Sequence, residues 1–430
     1  MKKLVAGEVY MLSISVVLST AVLYLPFIIA SVALQDSWLA VILGTAVAIP
    51  FTLFALALST RFPEKGLEEI IEELFGKYLG RLLAVVYALF FLYSSALIIR
   101  QLEEFIVLSL MPETPPLAIR ILFVLILFMG VYEGTLAIVR TNVYVMPVGA
   151  FVIVAVIGLA TTQMNFDNLT PAFTVGLEGI LNGGFFTTAW LLQIPMVILI
   201  FFKFIEIAKL KPIVKTESVF VVILTGGALL LGALGTIASF GPRLTADILY
   251  PSFAMARIIS IGGFLEHIEV TFVGVWIAAM FMAGTAYCFM SILMITWVLG
   301  FKDTKKISFP MAATLFYLPA AIATDLSSVI HQLRVFFPTL CVIFGGVLPF
   351  AFLALAVVMN KGISPKELSE MQKEQENKNP KDNFGAQDGD IAENPQNGDN
   401  GQNQEDGNNT EENDDEESQS DNDKDDSSKK

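Results

Sequence analysis

The stretch VYMLSISVVLSTAVLYLPFIIASVA, residues 9–33, contains no charged residue. A helix of about 20 apolar residues crosses the hydrocarbon core of a bilayer, so this stretch is long enough to span a membrane. Two lysines precede it, as at the start of a signal peptide. Because the apolar run is too long for a signal-peptide core, we interpret it as a retained first transmembrane helix.

Nine further stretches along the chain have the same character. The ten predicted spans are 9–33, 38–60, 81–110, 117–138, 143–164, 183–204, 216–240, 268–300, 308–325 and 332–359. They are long continuous apolar runs, whereas the strands of a membrane barrel alternate over about ten residues. The chain is 54% hydrophobic and 16% charged, which excludes an ordinary soluble domain. We therefore predict an all-α polytopic membrane protein with a ten-helix transmembrane domain over residues 1–361.

The negative charge of the chain is concentrated at its end. Residues 361–430 contain 8 lysines and 21 acidic residues, while the preceding part is almost neutral. This segment is rich in Asn, Asp, Gln, Glu, Gly and Ser, and cannot bury enough apolar surface to offset the entropy of ordering. We predict that residues 362–430 form a disordered acidic cytoplasmic tail that acts as a solvated spacer. Attraction of cations or basic proteins is the alternative.

The basic residues predict the orientation of the chain. Ten spans place both termini on one side of the membrane, and that side receives fifteen of the lysines and arginines that flank the spans, against four on the other. Short loops rich in Lys and Arg stay in the cytoplasm. We therefore expect both termini to be cytoplasmic.

No sequence pattern indicates an enzyme. Cys288 and Cys341 both lie within apolar runs, and the two histidines are far apart, so neither a disulfide framework nor a metal cluster is expected. Nucleotide-binding glycine loops and the G-x-S-x-G and H-E-x-x-H motifs are absent from the sequence. We expect no enzymatic activity, no cofactor and no nucleic-acid partner.

The ten spans divide into two groups of five, about residues 9–164 and 183–359. The two groups start in opposite directions across the membrane, as a five-plus-five inverted-repeat transporter fold requires. In such folds the first helix of each repeat is interrupted near the midplane, and the freed backbone groups face the substrate.

Small and polar residues occur at matching places in spans one and six. Span one has Ser19-Thr20 followed by Pro26, and span six has Asn-Gly-Gly at 182–184 followed by Pro195. This match predicts broken helices one and six around a ligand-binding site. The alternative is that these residues permit close helix packing or a kink.

Span three places polar side chains on one helical face. The residues of this face are Tyr93, Leu97, Arg100, Gln101 and Glu104. Exposing an arginine to lipid costs at least about 2.5–3.5 kcal/mol, so this face is expected to point into the bundle. We interpret Arg100 with Glu103 or Glu104 as a structural ion pair at the outer rim, and Tyr93 with Leu97 as pocket lining.

Several motifs together resemble a known family. They are LYLP at 23–26, DSWL at 36–39, FPEKGLEEI at 62–70, FGKYLG at 75–80, PETPP at 112–116, GTLAIVR at 134–140, NLTPAF at 168–173 and FLEHIE at 264–269. Their order and spacing resemble the B subunit of bacterial spore germination receptors, the spore permease family, which is related to amino acid/polyamine/organocation transporters.

The resemblance implies a sensor of small nutrients, commonly amino acids, that acts with a larger membrane A subunit and a lipoprotein C subunit. It places the protein among the lipids of the spore inner membrane. Relatives often carry glycine where Ser19 and Ala21 stand, which predicts a less open first break here. An arginine of the family is replaced by His267, which puts an external ion pair in doubt.

The candidate ligand-binding residues combine the family positions with the helix faces. They are Ser19, Thr20, Ala21, Tyr93, Leu97, Leu191, Leu192, Gln193 and Thr285. The alternative for Thr285 is a hydrogen bond back to its own helix. An active amino acid:proton symporter is the rival function, and the absence of a carboxylate deep in spans one, three, six and eight favours the receptor.

Overall fold

The structure is a computed structural model, and it describes residues 4–205, 214–259 and 268–364 together with Glu367 and Glu370. The chain divides into two units, residues 1–379 and 380–430, and the fold below is that of the first. Apart from a few positions at its start, the predicted acidic tail lies outside the described residues. His267 lies outside them as well.

The described residues are almost entirely helical. The helices are α1 (Ala6–Ala33), α2 (Ser37–Arg61), α3 (Leu67–Ser109), α4 (Pro116–Glu133), α5 (Thr135–Ala160), α6 (Gly176–Leu191), α7 (Gln193–Phe201), α8 (Val214–Phe240), α9 (Pro242–Asp247), α10 (Pro251–Arg257), α11 (Ile268–Val298), α12 (Lys305–Ile322), α13 (Leu326–His331), α14 (Phe337–Cys341) and α15 (Leu348–Val358). Two π-helical segments, Gln332–Phe336 and Val342–Val347, join α13, α14 and α15.

These helices account for the ten predicted spans. Within the described residues, eight helical stretches are long and apolar enough to cross a membrane. One of them, Ala6–Arg61, contains two spans, since α1 and α2 are separated by a turn at Leu34 with φ 42°. Helix α12 coincides with predicted span nine and is not among these eight. The turn between spans four and five lies at Gly134, not after residue 138 as predicted, because this glycine adopts φ 87°.

Burial distinguishes a central from a peripheral set of helices. The most apolar part of Gly176–Phe204 is 89% buried, whereas that of Thr135–Gln163 is 17% buried. Helix α1 contacts α5, α6, α7, α8 and α11, and α3 packs along α11. Spans one and six therefore form the core, and α4, α5 and α12 present large apolar side chains outward, as lipid contact requires.

Helix α3 begins with a short segment before predicted span three. Leu67, Ile70 and Ile71 are buried, and the segment joins the rest of α3 at Gly76, whose φ of 78° and ψ of 174° bend the helix. Glycine tolerates this conformation because it has no Cβ. Glu68 is also buried, and it is paired with Lys203.

Span six is interrupted at Leu192, although its Asn-Gly-Gly at 182–184 lies inside α6. Span one is not interrupted. Helix α1 is continuous, and Ser19 and Thr20 each donate to a carbonyl one turn earlier in the same helix, at 3.0 and 3.4 Å. Pro26 has no N–H, so the Val22 carbonyl loses its helical donor. The Ser252 hydroxyl donates to that carbonyl at 2.6 Å. A donor from another helix thus stabilises span one without unwinding it.

Candidate functional site

The interruption of span six lies inside the bundle. Helix α6 ends at Leu191 and α7 begins at Gln193. Pro195 explains the position, because it cannot donate to the carbonyl of Leu191 four residues earlier. Leu191, Leu192 and Gln193 each have no exposed surface. The structure therefore places these three predicted residues at a buried helix break.

Hydrogen bonds connect this break to spans one and eight. The Trp190 indole N–H donates to the Thr20 hydroxyl at 3.2 Å, and the Gln193 side-chain amide donates to the Trp190 carbonyl at 3.0 Å. The Tyr287 hydroxyl donates to the Gln193 side-chain oxygen at 2.8 Å. We call Thr20, Trp190, Gln193 and Tyr287 the central network. It consists of neutral donors and acceptors contributed by α1, α6, α7 and α11.

The break also lies against span ten. A Cβ added at Gly345 would collide with the Leu192 carbonyl oxygen and approach the Met196 side chain to 2.7 Å. Gly345 belongs to the second π-helical segment, and such segments frequently occur at functional sites. The missing side chain at Gly345 thus allows span ten to contact the backbone of the break directly.

Ser19 and Ala21 face a different side of α1 from Thr20. Each borders one of two adjoining small apolar clefts, which lie between α1, α5, α8 and α11 and share Val22 and Phe272 among their lining residues. The Ser19 carbonyl accepts a hydrogen bond of 2.6 Å from the Trp276 indole. The predicted residues of span one are therefore divided between the central network and these clefts.

Tyr93 connects span three to span ten. Its hydroxyl donates to the Gln332 side-chain oxygen at 2.8 Å, and the Gln332 amide donates to the Ile322 carbonyl at 2.9 Å. Leu97 lies one turn further along α3 and is fully buried. The predicted pair on span three therefore faces the bundle interior, with Tyr93 directed at the first π-helical segment.

Thr285 is placed apart from the other candidates. Its hydroxyl donates to the Phe281 carbonyl of its own helix at 2.8 Å. A Cβ added at Gly130 in α4 would lie 3.0 Å from the Thr285 methyl group. The Thr285 side chain therefore packs against α4. On the same helix, Tyr287 rather than Thr285 belongs to the central network.

A buried ionic cluster closes the bundle at the end away from the chain termini. Glu103 accepts from Arg120 at 2.5 and 2.7 Å and from Arg100 at 3.1 Å. Arg100 also pairs with Glu104 and donates to the Ala323 carbonyl at 2.8 Å. The structural ion pair predicted for Arg100 is confirmed, and Arg120 of α4 joins it.

Aromatic rings lie between this ionic cluster and α1. Phe105 contacts the rings of Tyr250, Phe253 and Trp276, with centroids 5.1, 5.1 and 4.6 Å away. The Tyr250 ring also contacts Tyr24 of α1 at 5.3 Å. Edge-to-face pairs of this kind contribute about 0.5–1.5 kcal/mol each beyond the burial of their surface.

At the other end, the chain start covers the end of span six. The Leu4 amide donates to the Phe204 carbonyl at 2.8 Å, and Lys203 pairs with the buried Glu68. The N-terminal residues and the amphipathic start of α3 therefore contact the segment that leaves the broken helix.

The sequence matches a family model described as spore germination protein over residues 3–327. The chain belongs to this family. Spore germination protein KB of Bacillus subtilis is 22% identical over 306 residues, which cover 70% of this chain and 81% of KB. The YfkT protein of the same organism is 26% identical over 275 residues, which cover 63% of this chain and 74% of YfkT.

Solved structures confirm the predicted transporter fold of this spore germination protein. MhsT in complex with L-phenylalanine matches with a TM-score of 0.61 at 14% identity, covering 87% of this chain and 93% of MhsT. A manganese transporter mutant of Eremococcus coleocola matches with a TM-score of 0.51 at 13% identity, covering 82% and 76%. Family and fold are those of a non-enzymatic integral membrane protein.

Several residues of the site were not predicted from the sequence. Trp190 and Tyr287 complete the central network. The Gln332 side-chain oxygen accepts the hydrogen bond from Tyr93, and Gly345 lies against the Leu192 carbonyl at the break. Buried Trp and Tyr side chains usually need a hydrogen-bond partner, which was an available signal for Trp190 and Tyr287. The sequence holds no comparable signal that pairs Gly345 with Leu192, because their contact depends on how two distant spans pack.

Proposed function

We propose that this spore germination protein is the germinant-sensing membrane subunit of a germination receptor, binding a small nutrient at the centre of the bundle and signalling to partner subunits. The observation that carries the proposal is the buried break at Leu192, which contacts spans one, eight and ten through the central network and Gly345. A ligand that prefers one arrangement of these helices shifts their equilibrium by its difference in affinity.

An amino acid is the proposed nutrient. Freed backbone groups and half-helix ends at such breaks bind charged groups of small substrates. The central network adds only neutral donors and acceptors, which suit a ligand with no net charge. The candidate binding residues are the predicted ones on three spans. They are Ser19–Ala21 on span one, Tyr93 and Leu97 on span three, and Leu191–Gln193 on span six.

The rival function is proton- or cation-coupled uptake of the amino acid. Carbonyl groups at broken helices coordinate the coupling cation in transporters of this architecture. In this structure the carbonyls of Ser19 and Val22, beside the expected break of span one, already accept from Trp276 and Ser252 at 2.6 Å each. These two bonds favour a receptor in which ligand binding alone is the signal.

The proposal also includes the membrane orientation of the chain and its partner subunits. We place residues 1–361 in the spore inner membrane with both termini in the cytoplasm, and residues 362–430 as a cytoplasmic tail. The A and C subunits of the receptor are the proposed recipients of the signal. The orientation is tested by introducing a cysteine at residue 2 or 428 and labelling right-side-out vesicles before and after they are opened. Labelling of both cysteines only after opening supports cytoplasmic termini.

Binding is tested by thermal unfolding of the purified full-length protein with single amino acids and sugars. A ligand at 100 times its Kd stabilises a protein by about 2.7 kcal/mol if it binds only the folded form. We expect stabilisation by an amino acid, and its loss in Ala21→Phe and Tyr93→Ala. Stabilisation retained in both variants would contradict the pocket, and no stabilisation by any amino acid would contradict the proposed ligand.

A further inference from the structure

Gln101 of α3 is a buried amide without a hydrogen-bond partner. Its side chain has no exposed surface, and among the described residues neither its amide nitrogen nor its oxygen finds a partner. Most buried polar side-chain atoms in proteins have such a partner. Gln101 belongs to the predicted inward face of span three. Within the described residues its side chain is part of neither the ionic cluster nor the central network.

The neighbours of α3 show where this side chain points. Arg100 and Tyr93 contact the span-ten side of the bundle, through the Ala323 carbonyl and Gln332. Ser95 and Phe105 contact span eight, through the Gly284 carbonyl at 2.9 Å and the Trp276 ring.

Helical geometry places Gln101 between these two sectors. Successive residues of a helix are rotated by about 100°, so Gln101 shares a face with Leu97, one turn away. The Tyr24 hydroxyl of α1 donates to the Gln101 backbone carbonyl at 3.2 Å. This turn of α3 therefore lies beside Tyr24 of α1, and Gln101 continues the helical face of the candidate pocket residue Leu97.

The charges around Gln101 are already paired. Arg100 and Arg120 contact Glu103, and Arg100 also contacts Glu104. These four groups carry no net charge together, so they offer no surplus charge to a ligand. A primary amide both donates and accepts, and the neutral zwitterion of an amino acid presents a carboxylate that accepts and an ammonium group that donates.

We propose that the Gln101 side-chain amide binds the charged end of a zwitterionic amino acid, with Nε2 donating to the carboxylate and Oε1 accepting from the ammonium group. This inference rests on the proposed function, and it assigns the polar recognition of the ligand to span three. Ligands that lack one of the two charges, such as amino acid amides, exchange a charge-assisted hydrogen bond for a weaker neutral one.

Asn142 of α5 provides a matched control. It is also fully buried, and both of its amide atoms likewise lack partners within the part of the chain that the structure describes. It lies on a different helix from Gln101 and outside the candidate pocket. Replacing either amide by an apolar side chain of similar size removes an unpaired polar group, so Gln101→Met and Asn142→Leu both raise the melting temperature of the ligand-free protein.

The experiment measures thermal unfolding of full-length wild type, Gln101→Met and Asn142→Leu against a titration of the amino acid that stabilises wild type best. We expect Asn142→Leu to keep the wild-type Kd and Gln101→Met to weaken binding at least about tenfold, since two hydrogen bonds to charged groups are lost. An unchanged Kd in Gln101→Met would overturn the inference while leaving the proposed function intact. A wild type that no amino acid stabilises would overturn both.

A second variant covers the case in which Gln101→Met does not fold. Gln101→Glu keeps the size and the acceptor but replaces the donor by a negative charge. It should reject the zwitterion and bind the corresponding amino acid amide, a cation, more tightly than wild type does. Equal preference for zwitterion and amide in wild type and Gln101→Glu would also overturn the inference.

Discussion

The Trp190 indole N–H lies 3.2 Å from the hydroxyl oxygen of Thr20 and joins the half-helix before the span-six break to span one. Both residues are buried, and Trp190 also packs against Phe337 of span ten with ring centroids 5.4 Å apart. A shift of span one therefore changes a hydrogen bond and a ring contact at once. This geometry couples span one directly to spans six and ten.

Replacing Thr20 by Val tests that hydrogen bond. The change keeps the branched shape and removes the acceptor, which leaves the buried Trp190 N–H without its partner. We expect a loss of about 1–3 kcal/mol in the free energy of unfolding, together with loss of the nutrient response. Ser13→Ala in the same helix is the control, because Ser13 only donates back to the Val9 carbonyl at 2.9 Å. Equal effects of the two changes would contradict a special role for Thr20.

Gly345→Ala tests the contact between span ten and the break. The added methyl group would collide with the Leu192 carbonyl, and forcing extra volume into a packed core costs about 1–3 kcal/mol. Gly274→Ala is the control, because a Cβ there meets nothing within 4 Å. Thermal unfolding should separate the two variants. If the Gly345→Ala and Gly274→Ala proteins are equally stable, span ten does not pack tightly against the Leu192 carbonyl at the break.

The bond between Ser252 and the Val22 carbonyl predicts a rescue. Ser252→Ala leaves that carbonyl without its donor, at a cost of about 1–3 kcal/mol. In a Pro26→Ala background, residue 26 regains an N–H that can donate to the Val22 carbonyl. The cost of Ser252→Ala should therefore be smaller in that background, as a double-mutant cycle of unfolding free energies measures. A cost that is the same in both backgrounds would contradict the assignment.

The ionic cluster predicts a large effect of Glu103→Gln. Glu103 is fully buried and accepts from Arg100 and Arg120, so the change leaves buried positive charge uncompensated. Breaking a buried pair in this way costs about 3–5 kcal/mol. Glu113→Gln, at an exposed position of the α3–α4 turn, should change stability little. Similar melting temperatures for both variants would show that the cluster contributes little to the fold.

The fold follows largely from local properties of the sequence. Each span is a run of about 20 apolar residues, and Pro195 marks the broken helix. The glycines at 182–184 do not mark it, because they lie inside α6 and allow close packing against α2. Span one was the exception. Ser19-Thr20 and Pro26 predict an interruption, yet Ser252 and Trp276 supply donors to α1 from elsewhere in the chain. Such donors depend on tertiary contacts that no local pattern contains.

The candidate site was predictable only where a local helical pattern determines which side chains face inward. Helical spacing indicated that Leu97 and the polar residues of span three face inward, and the structure places them there. The partners of Tyr93 and Thr20, which are Gln332 and Trp190, come from spans far away in sequence. Thr285 was predicted to bind the ligand, but its hydroxyl donates to a carbonyl of its own helix and its methyl group faces α4.

Paired binding and uptake measurements on one preparation of the full-length protein test the receptor proposal most directly. The amino acid that stabilises the protein in detergent is supplied to liposomes containing it, with and without an imposed proton gradient. We predict binding that Thr20→Val weakens, and no accumulation of the amino acid inside the liposomes under either condition. Concentrative uptake driven by the gradient would contradict the receptor proposal and identify a symporter.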